Sequence, residues 1–276
     1  PYIDIDIKGG HLLKAQLMML DVINNNNWER PIYFSGGSMK DVDYLWMKDY
    51  LELDGNVYKL VPLLTKNSDP YYIELGRIDA DKMYDIVMKW DWGNGGSKEI
   101  YHDTETRRNS ISYRTNIGRL AHQLIDECKT KKAKDVLDLA MREMPIEYYG
   151  FYTMLDPLTQ AYYSLGDTQT ARNTINYVIK QYQQRLNYFK QFDNKTQSSL
   201  IIDIVTDIER YRSLLLLAKE SGDMKFYEEL VPAFNTHNEL FKRFGRKNEG
   251  VDESANPAIN SPEELMELLK DLDSTK

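Results

Sequence analysis

Tyr2-Ile3-Asp4-Ile5-Asp6-Ile7 alternates polar and apolar side chains, the period of a half-buried strand, and Gly9-Gly10 ends it. From His11 to Ile23, Leu13, Leu17, Leu20 and Ile23 recur at helical spacing and predict an amphipathic helix. Asn24 to Asn27 argue against its continuation, because short amides compete for backbone hydrogen bonds. Trp28-Glu29-Arg30-Pro31 then leads into a short strand, Ile32-Tyr33-Phe34. Pro31 belongs at its start, since proline cannot donate to a ladder. Ser35-Gly36-Gly37-Ser38 turns the chain into a helix predicted over Asp41 to Leu51, and Gly55 turns it into a strand from Val57 to Val61, closed by Pro62. Asp81 to Trp90 reads as a short helix. The loop from Trp90 to Ser97 reads as aromatics tucked under a glycine turn, with a binding lip as the alternative.

From Thr104 onward the period is helical throughout. Ile117, Leu120, Ala121, Leu124, Ile125 and Cys128 form one stripe, in which Cys128 is expected as a buried small hydrophobe. Thr130-Lys131-Lys132 is the expected turn. Ala133, Val136, Leu137, Ala140 and Met144 form the next stripe, stopped by Pro145. Leu155, Leu158, Tyr162, Leu165 and Gly166 precede Ala171, Ile175 and Val178. Leu215, Ala218 and Gly222 precede Tyr227, Val231 and Phe234. This pattern resembles tetratricopeptide (TPR) repeats: Ala133 and Ala171 stand where a small residue lets helices approach, 38 positions apart, near the ~34 of a standard repeat. The third copy has Tyr227 at that place. Between the second and third, Ile201, Ile204, Ile208, Tyr211, Leu215 and Ala218 alternate steps of three and four, a coiled-coil-like seam on one long helix from Gln197 to Glu220. Its expected partner is a helix from Thr168 to Phe189. Residues 245–260 read as a polar loop. Ser261-Pro262-Glu263-Glu264 then opens a capped helix whose Leu265, Leu268, Leu269 and Leu272 dock it onto the helices before it.

The expected fold class is α+β: a small mixed α/β unit over 1–103, TPR-like helical hairpins over 104–244, and a loop with a docking helix over 245–276. The length supports a sizeable core. The chain begins at Pro1 inside a predicted strand, which points to a piece of a longer protein. The net charge of −8 argues against a nucleic-acid partner, which needs a basic footprint. No run approaches the ~18 apolar residues of a membrane span, so no direct membrane insertion is expected.

One cysteine excludes an internal disulfide and a cysteine-based zinc site, and four scattered histidines leave no metal site in view; no cofactor is expected. His122 and Asp126, one helical turn apart, read as a solvent-facing pair. His102-Asp103 with Glu105 is a weak acid–base group in a linker. Asp4 and Asp6 share a strand face and read as its wet side. Asn194-Lys195-Thr196 is a glycosylation sequon, meaningful only in the secretory pathway. The glycine-rich turn after the strand exposes backbone N–H groups, but it lacks the Lys-Ser/Thr of a P-loop and is followed by Asp41 and Asp43, which repel phosphate. It reads as a plain turn. No residue reads as catalytic. The candidate binding residues are Trp28, Arg30, Tyr33, Ser35, Gly36, Gly37, Trp46 and Trp92. Trp28 and Arg30 are expected in a buried turn, with Arg30 paired to a carboxylate of the α/β unit; a surface contact by Arg30 is the alternative.

Met19 to Phe34, Tyr44 to Gly55 and Tyr58-Lys59-Leu60-Val61-Pro62 resemble a signature of the soluble C-terminal region of a bacterial family of multi-spanning membrane proteins. That family is similar to protein O-mannosyltransferases, and its motif has no agreed chemistry. The resemblance is strongest over residues 1–65. It implies that the parent is a membrane-embedded glycosyltransferase using lipid-linked sugar, with its catalytic acid elsewhere. This chain would then face the periplasm at the inner membrane, brace the parent's own membrane domain or hold a polypeptide acceptor, and carry no catalytic centre. Two alternatives stay open: a free-standing TPR-type interaction adaptor, and a sugar-active enzyme using the Trp28–Ser38 region.

Overall fold

The computed structural model describes residues 3, 12–35, 47–65 and 75–244. The predicted strand at residues 2–7, all but the first residue of the Ser35–Ser38 turn, the start of the Asp41 helix, the 245–260 loop and the docking helix lie outside the described residues. Among the described residues the fold is α+β, mostly helical, with one three-stranded antiparallel sheet. The chain divides into two compact units, Pro1–Ala161 and Tyr162–Lys276.

The first unit opens with α1 (Lys14–Asn26), which buries no residue fully. Met19 and Ile23 pack against a core of Met47, Leu51, Leu60 and Leu75, whereas Leu13, Leu17, Met18 and Val22 stay exposed. The predicted stripe thus turns inward at Ile23 but not at Leu13 or Leu17. The asparagine run does not end the helix early. Asn25 donates from Nδ2 to the Asp21 carbonyl and carboxylate, at 2.8 and 2.9 Å. Asn27 instead stops the helix in the left-handed conformation at φ 48°, which asparagine tolerates.

Strands β1 (Tyr33–Ser35), β2 (Leu51–Asp54) and β3 (Val57–Leu60) stand in the order β1-β3-β2. β2 corrects the helix expected up to Leu51: Lys48–Tyr50 is a single 3-10 turn, and Leu51 begins a strand. Asp54 pairs with Val57 across a two-residue connection whose first member, Gly55, has φ 70°. Glycine at that position is what a tight hairpin of type II′ requires. A Cβ there would also lie 2.6 Å from the Trp90 ring. Phe34, Tyr58, Leu60 and Leu51 join the core. α2 (Ala80–Val87) is capped by Asp79 and buries Ala80, Met83 and Val87.

α3 (Thr104–Asp126) starts at its cap Asp103 and packs along α4 (Thr130–Glu143). Ile117, Leu120, Ala121 and Leu124 face Ala133, Val136, Leu137 and Ala140 in a fully buried seam. Polar residues of α3 hold the sheet region. Asn116 donates to the Gly55 carbonyl at 3.0 Å, and Arg119 donates to the carbonyls of Leu75 and Gly76 at 2.9 and 2.8 Å. After Pro145 comes α5 (Ile146–Tyr149). Arg114, fully buried on α3, donates to the Met144 carbonyl at 2.8 Å and the Gly150 carbonyl at 2.6 Å. Its charge therefore rests on the carbonyl ends of α4 and α5, where helix dipoles favour a cation. Burial pushes its pKa down to about 10.

α6 (Asp156–Ser164) leads to the second unit, built of α7 (Thr168–Phe189), the short α8 (Asn194–Ser199), α9 (Ile201–Glu220) and α10 (Met224–Leu240). The expected bounds of α7 agree with the structure. The expected single helix from Gln197 is broken at Leu200, which has φ −104° and ψ 14°. From there the predicted seam holds: Ile204, Ile208, Tyr211, Leu215 and Ala218 are buried. α9 packs on both α7 and α10. In α10 the register is shifted from the expectation. Phe226, Leu230 and Phe234 are buried, while Tyr227 and Val231 are only half so.

Three inter-helix turns share one design. Cys128, Gly166 and Gly222 each adopt left-handed φ, at 61°, 76° and 81°. Each donates its N–H three residues back, to Ile125, Tyr163 and Lys219. The next residues, Lys129, Asp167 and Asp223, donate five back, to Leu124, Tyr162 and Ala218. These paired bonds define the Schellman motif, which satisfies the last helix carbonyls. Cys128 is accordingly exposed, not buried in the stripe, because it is the turn residue where the other two hairpins use glycine. The turn itself is Glu127–Lys129, and α4 has already begun at Thr130.

Candidate functional site

The polar face of the sheet gathers a group of interacting charges whose two carboxylates are buried. Tyr33 of β1 and Glu52 of β2 both pair with Lys59 of β3, and Ser35 and Asp54 both pair with Val57. Because alternate residues of a strand share a face, Tyr33, Ser35, Lys59, Glu52 and Asp54 lie on one side. Two segments then close over the carboxylates. The chain at Arg77 bonds alongside β2, with Leu53 N–H donating to the Arg77 carbonyl and Arg77 N–H donating to that of Leu51. α2 brings Lys82 within its first turn.

Glu52 and Asp54 are each only 5% exposed. Arg77 reaches Glu52 Oε2 at 2.8 Å. Lys82 bridges both carboxylates, 2.7 Å from Glu52 Oε1 and 2.8 Å from Asp54 Oδ2. Burial pulls the Lys82 ammonium down, but its hydrogen bonds to Asp54 and Glu52 more than offset this, and its pKa is held above the ordinary lysine value. The Tyr33 hydroxyl donates to Asp54 Oδ2 at 3.3 Å. Burial and the Asp54 charge raise its pKa. Asp54 Oδ1 is buried without a hydrogen-bond partner. Chemically, the two carboxylates are committed to cations of the same chain, so the cluster cross-links β2, α2 and the Arg77 segment.

Of the candidate binding residues that the structure describes, Tyr33 alone enters this cluster, and it is 47% exposed. Trp28 is 39% exposed and takes φ 61°, and Arg30 is exposed with no ion pair among the described residues. The buried Trp28–Arg30 turn is thereby corrected: the left-handed Asn27 and Trp28 carry the chain outward at the end of α1. With Ser35, also exposed, these residues follow one another along the approach to β1 and β1 itself, which among the described residues pairs with β3. Gly36, Gly37 and Trp46 lie outside the described residues. Trp92 stands apart, in a ring cluster with Trp90 at 5.5 Å and Tyr113 of α3 at 5.3 Å, its indole N–H buried without a partner.

The remaining candidates have structural partners. His102 is buried, with Nε2 3.2 Å from the Ser97 carbonyl and its ring 5.0 Å from that of Tyr149. Asp103 caps α3 through the Thr106 N–H at 2.7 Å, a bond that holds its pKa below the usual carboxylate range. His122 does not simply face solvent with Asp126; its Nε2 lies 3.0 Å from the Pro157 carbonyl. Among the described residues, no three His, Cys, Asp or Glu side chains are placed to hold a metal ion, and no helix is long and apolar enough to cross a membrane.

Glu52, Asp54, Arg77 and Lys82 escaped the sequence reading. Glu52 and Asp54 alternate with leucines just before Gly55, which is a strand signal, but their cations lie 25 and 30 positions further on.

Residues 1–82 match the family model described as TMEM260-associated domain 2. The polar cluster, from Tyr33 to Lys82, falls wholly inside that segment, whereas Trp92 and the helical hairpins fall outside it. No curated protein and no solved structure matches the chain.

Proposed function

We propose that this chain is an accessory, non-catalytic part of a membrane-embedded glycosyltransferase-like protein that uses lipid-linked sugar. In this reading it stands at the periplasmic face of the inner membrane, where it braces the membrane domain and holds a polypeptide acceptor on TPR-like hairpins. The observation that carries the reading is the match of residues 1–82 to a domain named for its association with TMEM260, a name that points to a membrane protein. Two features of the structure support it. Within the matched segment, Glu52 and Asp54 are bound by Arg77 and Lys82 of the same chain. The residues beyond it are helices packed as antiparallel neighbours, the element type a helical repeat scaffold is built from.

The test uses membranes expressing the complete gene, with this segment intact or deleted, assayed for transfer of sugar from a lipid carrier to protein. Deletion is expected to reduce transfer at least tenfold, and the purified segment to give no product. Undiminished transfer after deletion, or transfer by the segment alone, overturns the proposal.

A further inference from the structure

One Asn-Gly pair and one Asp-Gly pair occur in the sequence, Asn94-Gly95 and Asp54-Gly55. A glycine after asparagine or aspartate leaves its backbone nitrogen unshielded, because no Cβ hinders its approach to the side-chain carbonyl carbon of the residue before. The structure treats the two pairs oppositely. Asp54 is 5% exposed, and its carboxylate is held by Lys82 at 2.8 Å and by the Tyr33 hydroxyl at 3.3 Å. Asn116 holds the Gly55 carbonyl next to it at 3.0 Å. Asn94 is exposed, and its side-chain amide makes no hydrogen bond among the described residues. It lies in the turn between Trp90 and Ser97, outside every helix and strand. Gly93, at φ 54°, enters this turn. The Gly95 N–H donates to the Trp92 carbonyl at 3.0 Å, and the Ser97 N–H donates to the Asn94 carbonyl at 2.9 Å. Packing fixes the glycines that follow. A Cβ on Gly95 would lie 3.1 Å from the Glu143 carbonyl at the end of α4, and one on Gly96 would lie 2.5 Å from the Arg142 carbonyl. The close approach of this loop to α4 therefore keeps a glycine directly after an asparagine whose own side chain is in water.

We infer that Asn94 is a site of spontaneous covalent modification, by ring closure of its side chain onto the Gly95 nitrogen. That nitrogen gives up its proton to solvent and bonds to Asn94 Cγ. The bond from Cγ to the side-chain nitrogen breaks, and this nitrogen takes a proton from solvent and leaves as ammonia. Water then adds to either carbonyl of the cyclic imide, giving aspartate or isoaspartate. Attack at Asn94 requires one turn hydrogen bond, from the Gly95 N–H to Trp92, to open. Closure at Asp54 must first strip a buried carboxylate of its lysine. Either product at position 94 adds a carboxylate to the turn that already carries Asp91, and isoaspartate also lengthens the main chain there by one carbon. The loop affected carries Trp92 and accepts the Tyr149 hydroxyl on the Gly95 carbonyl at 3.1 Å.

The full chain is incubated at pH 8, folded or unfolded in guanidinium chloride, and mapped by peptide mass spectrometry, with isoaspartyl methyltransferase detecting isoaspartate. In the folded chain Asn94 is expected to convert at least tenfold faster than any other described asparagine. Conversion is expected to slow at pH 6, because attack needs a deprotonated nitrogen. Asn94→Gln is expected to remove the product, since the longer side chain closes its ring far more slowly. Isoaspartate at Asp54 is expected only in the unfolded chain. Conversion of Asn94 in the unfolded chain but not in the folded one overturns the inference, as does isoaspartate at Asp54 of the folded chain.

Discussion

Replacing Cys128 with glycine is expected to stabilise the protein. Cys128 holds φ 61° at the end of α3, in the same bonded turn that Gly166 and Gly222 make at the ends of α6 and α9. A left-handed backbone costs an L-residue roughly 1–2 kcal/mol, and glycine does not incur it. Glycine also loosens the unfolded chain, which gives back roughly 0.5–1 kcal/mol. The difference leaves a gain of about 0.5–1 kcal/mol, or about 2 °C in the midpoint of the first unit. The side chain is exposed, so no packing is lost. The converse substitutions, Gly166→Ala and Gly222→Ala, isolate the backbone effect, because an added Cβ there meets no atom within 4 Å. Each is expected to lower stability by the same ~0.5–1 kcal/mol. Cys128→Ala, which removes the thiol and keeps the strained φ, is expected to be nearly neutral. Urea midpoints for the four variants decide it. A lower midpoint for Cys128→Gly, or a higher one for either alanine, refutes the shared-turn reasoning.

Lys82→Met strips both buried carboxylates of a cation and is expected to cost about 3 kcal/mol, with Asp54→Asn in the same chain recovering much of it in urea unfolding. Arg114→Met leaves two helix-end carbonyls buried without their donor and is expected to cost about 3 kcal/mol by the same measurement, whereas a loss under 1 kcal/mol contradicts that role. Trp28→Ala is expected to cost less than the ~3–5 kcal/mol of a buried tryptophan, because the residue is 39% exposed.

The helices were legible wherever local pattern and capping agree. Ala171, Ile175 and Val178 after Gly166-Asp167 defined α7, and Ile204 to Ala218 defined the seam of α9. What was hidden depended on partners distant in sequence or on backbone conformation. β2 has only four residues and continues a run that reads as helical, so its alternation of Leu51, Glu52, Leu53 and Asp54 was masked. Cys128 continued an apolar stripe on paper, but hydrogen bonding of the turn placed it two residues past the end of the helix, in the left-handed region. Phe226 displaced Tyr227 from the expected register because the large ring, not a small residue, fills the space beside Arg172, 5.1 Å away. At the site, the aromatic surface residues Trp28 and Tyr33 could be picked from their types. The salt-bridged core under Tyr33 could not, since Arg77 and Lys82 come to Glu52 only through the fold.

The accessory reading is tested most directly by incubating the purified chain with a radiolabelled polyprenyl-phosphate sugar and an unfolded acceptor polypeptide. The expected result is saturable binding of the polypeptide with no labelled product. Label transferred to the polypeptide by this chain alone would contradict it.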